Sequence, residues 1–97
     1  MKIPEKITIG GVTYNITFSE NIGGNENQTG DIDFHNAQIW ISKDTDKDVQ
    51  KLTFYHEVVH GIFMALGYGN DDKITIDERF VDSFSHYLIQ FVEQLEG

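Results

Sequence analysis

The chain contains no cysteine in its 97 residues. Disulfides are therefore excluded, and any metal must be held by histidine, aspartate or glutamate. Long apolar runs are missing too. The longest, around Ile62 to Leu66, is far too short to cross a bilayer. The opening MKIPEKITIG has no stretch that could serve as a signal peptide. A soluble, cytoplasmic protein without a membrane partner is the expectation. Positive charge is scarce: seven basic groups against sixteen acidic ones give a net charge of −9. Such a field repels phosphates and argues against a nucleic-acid partner. It would suit a basic substrate or partner, although solubility alone also accounts for it. Neither an internal repeat nor a low-complexity tract is present.

What remains is enough for one folded domain over residues 1–97. A hydrophobic content of 39%, with 12% of the chain aromatic, is ordinary for a globular chain with a modest core. Ile3 to Glu20 reads as a hairpin: Ile7 and Ile9 alternate with polar neighbours, Gly10-Gly11 makes a tight turn, and Val12, Tyr14, Ile16 and Phe18 alternate again. Asn21 to Gly30 reads as a polar connector, with the rim of a site as its other possible role. Asp31 to Ile41 reads as a second hairpin turning near His35-Asn36, with Trp40 on the face opposite Ile39 and Ile41.

A first helix is expected from about Asp46 to Leu66, capped by Thr45 and stopped by Gly67 and Gly69. Val49, Leu52, His56, Val59, His60, Phe63 and Leu66 recur along one side at the helical period. A second helix is expected from about Ile76 to Leu95, with a broad apolar face of Phe80, Val81, Phe84, Tyr87, Leu88, Phe91, Val92 and Leu95. Strands followed by helices predict an α+β fold: a small antiparallel sheet of two hairpins packed on two helices.

Within the first helix stands HEVVH, His56 to His60. Two histidines four apart share one helix face about a turn apart and can grip one metal ion. Glu57 is then placed to handle a proton on the attacking water, the pattern of a zinc hydrolase. Both histidines lie on the apolar stripe, where a solvated surface pair is not expected. A catalytic zinc takes three protein ligands and keeps one open position. Glu78, in the first turn of the second helix, is the leading third ligand. The competing role for Glu78 is a capping box over Thr75-Ile76-Asp77-Glu78. Asp82, one turn on, is either an alternative ligand, a partner to a histidine ring nitrogen, or a solvated carboxylate. His86 and Tyr87 could steady a developing oxyanion but read more simply as surface and core residues. Tyr55 reads as core, and His35 as a turn residue.

HEVVH followed by the small Gly61, and then Glu78-Arg79-Phe80-Val81-Asp82-Ser83-Phe84-Ser85, resembles the ImmA/IrrE-type zincin-like metallopeptidases, which pair HExxH with a later ExxAxxFA helix. GDIDFHNAQIWIS resembles the strand pair that precedes the metal helix in small phage- and prophage-encoded members. The similarity runs from about Val12 to Phe91, with Val81 where alanine is usual and Ser85 where the second small residue is usual. The resemblance implies a minimal zincin-like core in a bacterial host cell, with His56, His60 and Glu78 as zinc ligands and Glu57 as catalytic base. Larger members cleave a specific repressor. Here selection of a peptide or protein substrate would fall to loops or a partner, with an extended substrate lying along the sheet edge, for instance at Ala37 to Ile41. A catalytically silent zincin-like binding or regulatory protein of phage origin is the rival reading.

Overall fold

A computed structural model describes residues 2–24, 28–68 and 77–96. The first hairpin forms as the alternation requires, with β1 (Lys6–Ile9) antiparallel to β2 (Val12–Ser19). Gly10 and Gly11 both have positive φ (58° and 85°), the conformation a two-residue hairpin turn demands. A Cβ at Gly10 would lie 2.6 Å from the Ala65 Cβ, so this turn also sits tight against the end of the first helix. A short 3₁₀ turn (Ile22–Gly24) buries Ile22 and leads toward the second hairpin, β3 (Gly30–Asp33) and β4 (Gln38–Ser42). Asp33 organises the turn between them. Its carboxylate accepts from the backbone amides of His35 and Asn36 and from the Asn36 side chain. These bonds hold the Asp33 carboxyl below its usual pKa.

The fold is α+β, and its sheet is mixed rather than purely antiparallel. The strand order is β1-β2-β4-β3, and β2 runs parallel to β4. Each hairpin is local and readable in sequence. How two hairpins join is not, because side-by-side pairing through β4 or through β3 leaves the same residues alternating. Joining through β4 places Ile39 and Ile41 in the sheet's interior, where both are fully buried, and it leaves β3 as an edge.

One face of the sheet carries Ile7, Ile9, Tyr14, Ile16, Ile32, Ile39 and Ile41 toward the core. The other carries polar residues such as Thr8, Thr13 and Asn15. α1 (Lys47–Ala65) lies across the apolar face. Its cap is Asp46, whose carboxylate accepts from the Asp48 amide. Thr45 does not fill that role, because its hydroxyl donates to the Ser42 carbonyl instead. Gly67, at φ 97°, ends the helix as expected.

α1 is not buried along the single predicted stripe. Thr53, Phe54, Tyr55, Glu57, Val58, Val59 and Gly61 are buried, whereas Val49 and Leu66 are exposed. The helix is packed on two sides, by the sheet and by α2 (Glu78–Glu96), so burial spreads around it. α2 departs further from expectation. Only Val81 and Ser85 are buried, and Leu88, Ile89 and Val92 pack on the core's margin. Phe80, Phe84, Tyr87, Phe91 and Leu95 are exposed. The expected polar turn at Gly69 to Lys73, and Thr75 and Ile76 at the second helix's start, lie outside the described residues. No helix among the described residues is long and apolar enough to cross a membrane.

Candidate metal centre

His56 and His60 project from α1 toward α2, one turn apart. Their side chains are 16% exposed, at the margin of the buried surface rather than deep within it. Their Nε2 atoms stand 3.2 Å apart. Glu78 meets both: one carboxylate oxygen is 2.7 Å from His56 Nε2, and the other is 3.2 Å from His60 Nε2. The capping role that competed for Glu78 goes to Asp77, whose carboxylate accepts from the Phe80 amide and whose carbonyl accepts from the Val81 amide. That puts Glu78 in the first helical position, with its carboxylate directed across to α1.

Asp82, one turn further along α2, lies 2.6 Å from the other ring nitrogen of His56, Nδ1. A carboxylate there favours a proton on Nδ1, and a neutral ring in that tautomer would turn its Nε2 lone pair toward the cluster. Asp82 is thus placed as the orienting partner of His56, one of the three roles the sequence left open. Burial holds the His60 imidazole below its usual pKa, against the pull of Glu78. The neutral ring that results is the form a metal ligand needs.

The donor set fits a zinc-sized cation. Ligand oxygens and nitrogens about 2.0–2.1 Å from a tetrahedral ion lie about 3.3 Å from one another. The two Nε2 atoms and the two Glu78 oxygens give contacts of 2.7 to 3.2 Å, and one ligand atom from each of His56, His60 and Glu78 falls within 4.8 Å of the others. Two imidazole lone pairs and a carboxylate this close repel unless a proton or a metal ion lies between them.

Glu57 is 7% exposed. Its pKa is pushed up to about 8, chiefly by desolvation, with Asp31, Glu78 and Asp82 adding repulsion. It opens into a cleft of about 790 Å³ that also contains His56, His60, Glu78 and Asp82. The cleft's far wall is β3 and the residues leading into it, Gln28 to Ile32. The segment read as a connector therefore also supplies a rim. Gly30 is the tightest point. A Cβ there would lie 2.3 Å from Thr53 Cγ2 and 3.4 Å from a Glu57 carboxylate oxygen, so only glycine lets the strand pass this close to the helix. Sequence reasoning did not single out Gly30 or Asp31, and neither belongs to a motif with chemistry of its own.

The sheet edge beside the cleft is β3 and not the segment Ala37 to Ile41, because β4 is enclosed between β2 and β3. The Ser42 amide donates to the Thr29 carbonyl. In an antiparallel ladder the next pairs alternate, so the backbone groups of Gly30 and Ile32 point out from the sheet. Gln28 Nε2 already donates to the Gly30 carbonyl. His86 and Tyr87 are exposed and do not line the cleft, so an oxyanion role for either finds no support. Tyr55 is core and His35 is an exposed turn residue, as expected.

No family model matches this sequence, and neither a curated protein nor a solved structure does. The case for function rests on the site.

Proposed function

We propose that this chain is a zinc-dependent metallopeptidase that works in the cytoplasm of a bacterial host. The observation that carries the reading is the convergence of His56, His60 and Glu78 beside a buried Glu57, in a cleft bordered by an unpaired strand edge. Three protein ligands and one open side are what a catalytic rather than a structural zinc needs. Zinc held there supplies a Lewis acid that makes water nucleophilic near neutral pH and polarises the scissile carbonyl.

The chain's own groups do the rest. Glu57 accepts the proton of the attacking water and delivers it to the leaving amine nitrogen as the peptide C–N bond breaks. Its burial makes it a stronger base than an exposed carboxylate, and a cation held beside it would favour the ionised form that accepts a proton near neutral pH. Asp82 keeps His56 in the tautomer that binds metal. A peptide in extended form pairs with the outward backbone groups of Ile32 on β3, which aligns its carbonyl with the cluster. A structural site would have no use for a buried carboxylate beside the first ligand, and this favours the enzyme over a silent binding protein.

The test is metal content followed by turnover. Protein purified without a metal-binding tag should carry about one zinc per chain, the stoichiometry of a single three-ligand site. It should cleave members of a peptide library, and Glu57→Gln should keep the zinc and lose the cleavage. Cleavage retained by that variant would overturn the mechanism. A chain that takes up no zinc would overturn the reading altogether.

A further inference from the structure

α2 has two unlike sides. Glu78 and Asp82 face the metal cluster, and Val81 and Ser85 face α1. On the side away from the cluster, Phe80, Phe84, Tyr87, Phe91 and Leu95 are between 41% and 87% exposed. Their spacing of four, three, four and four residues keeps them within about a quarter turn of one another. The first four follow the heptad rhythm by which one helix packs along another. Phe63 of α1 extends the patch, its ring centroid 5.7 Å from Phe80 and 6.4 Å from Phe84. Exposure of a continuous aromatic stripe on this scale marks a contact surface.

We propose that the stripe is the face by which two copies of this chain associate, α2 against α2 in antiparallel sense. The stripe is self-complementary in that direction. With the two helices centred on each other, Phe80 falls opposite Phe91 of the second copy and Phe84 opposite Tyr87, giving four aromatic layers without a gap. The flank of the seam is Ser83 and Gln90, both uncharged, so no like charges meet across it despite the net charge of −9 on each copy. A parallel alignment would instead set the two helix dipoles side by side in the same sense, which is unfavourable. At about 200 Å² for each large side chain, the five expose on the order of 600 Å². Two copies together would cover about 1,200 Å², the lower bound of a specific interface. The metal cleft lies on the other side of α2 and stays open in such a pair.

The whole chain, examined by sedimentation equilibrium over a concentration series in physiological salt, should tend to twice its 11.1 kDa mass. Raising the salt should strengthen association, because it screens the repulsion between two acidic copies. Phe91→Glu should remain a monomer at every concentration where the unaltered chain pairs. Phe84→Glu should do the same, which guards against a folding defect in one variant, and far-ultraviolet circular dichroism of both should be unchanged. The chain has no native cysteine, so Ser83→Cys and Gln90→Cys are unique handles. A short bismaleimide should join residue 83 of one copy to residue 90 of the other. A monomer throughout, including one whose stripe takes up a helix of some other protein, overturns the proposal. So does cross-linking of 83 to 83.

Discussion

At the residue scale, Glu57 carries the clearest pH signature. In the fold it keeps its proton up to about pH 8, against 4.5 for an ordinary glutamate, mainly because it is desolvated. Between those values the folded metal-free chain binds more protons than the unfolded one, so stability falls as pH rises. The contribution is fully present below about pH 4.5 and is lost as pH climbs through about 8. Glu57→Gln should remove this contribution to the slope. In chelator, its melting temperature should exceed that of the unaltered chain by more at pH 9 than at pH 5. Equal differences at both pH values would mean that Glu57 is not desolvated as described. Asp82 acts through His56 rather than on substrate. Asp82→Asn should weaken zinc binding by roughly 10- to 100-fold, read by competition with a chelator, and Asp82→Glu should recover part of it. Gly30 faces a purely steric limit: Gly30→Ala should cost about 1–3 kcal/mol in urea unfolding, because Thr53 leaves no room for a methyl group.

The elements show where local sequence is decisive and where it is not. The Gly10-Gly11 hairpin, the Asp33-bonded turn and the Gly67 stop each depend on residues a few positions apart, and each is legible for that reason. The α1 cap is one residue later than expected because Asp46 and Thr45 compete for the same amides, and the choice depends on where the Ser42 carbonyl lies. α2 is anchored thinly. Val81 and Ser85 are its buried residues, and the Ser85 hydroxyl donates to the Val81 carbonyl at 2.7 Å, which keeps this face small and α1 close. Ser85→Leu should therefore push the helices apart. A loss of about 1–3 kcal/mol is expected from overpacking, and zinc affinity should fall with it, because Glu78 and Asp82 ride on the displaced helix. Unchanged zinc affinity in a destabilised Ser85→Leu chain would show that α2 reaches the cluster by other contacts.

For the whole molecule, a metal bound at the proposed site would be linked to folding. α1 and α2 meet through a small buried patch, the packing of Phe63 on Phe80 and Phe84, an exposed Lys51–Glu93 ion pair, and the cluster of two histidines and two carboxylates. A ligand that binds only the folded state at a hundred times its dissociation constant adds about 2.7 kcal/mol. For a domain of this size that corresponds to a rise of on the order of 10 °C in melting temperature. Zinc should produce a shift of that order and chelator should remove it, as scanning calorimetry can show. An unmoved transition would mean that the cluster holds no zinc when folded.

The α+β class, both hairpins, both helices, and the group His56, His60, Glu78 and Glu57 are legible in the sequence. Each rests on a period, a turn or a motif short enough for chain connectivity to enforce. The tertiary structure decided the rest. It paired β2 with β4, making β3 rather than β4 the strand beside the site. It gave the cap to Asp77, leaving Glu78 to meet the histidines, and assigned Asp82 to His56 Nδ1. It left the aromatic side of α2 uncovered. These outcomes turn on which surfaces meet across long stretches of chain, and hydrophobic periodicity records that a face is apolar without recording what will cover it.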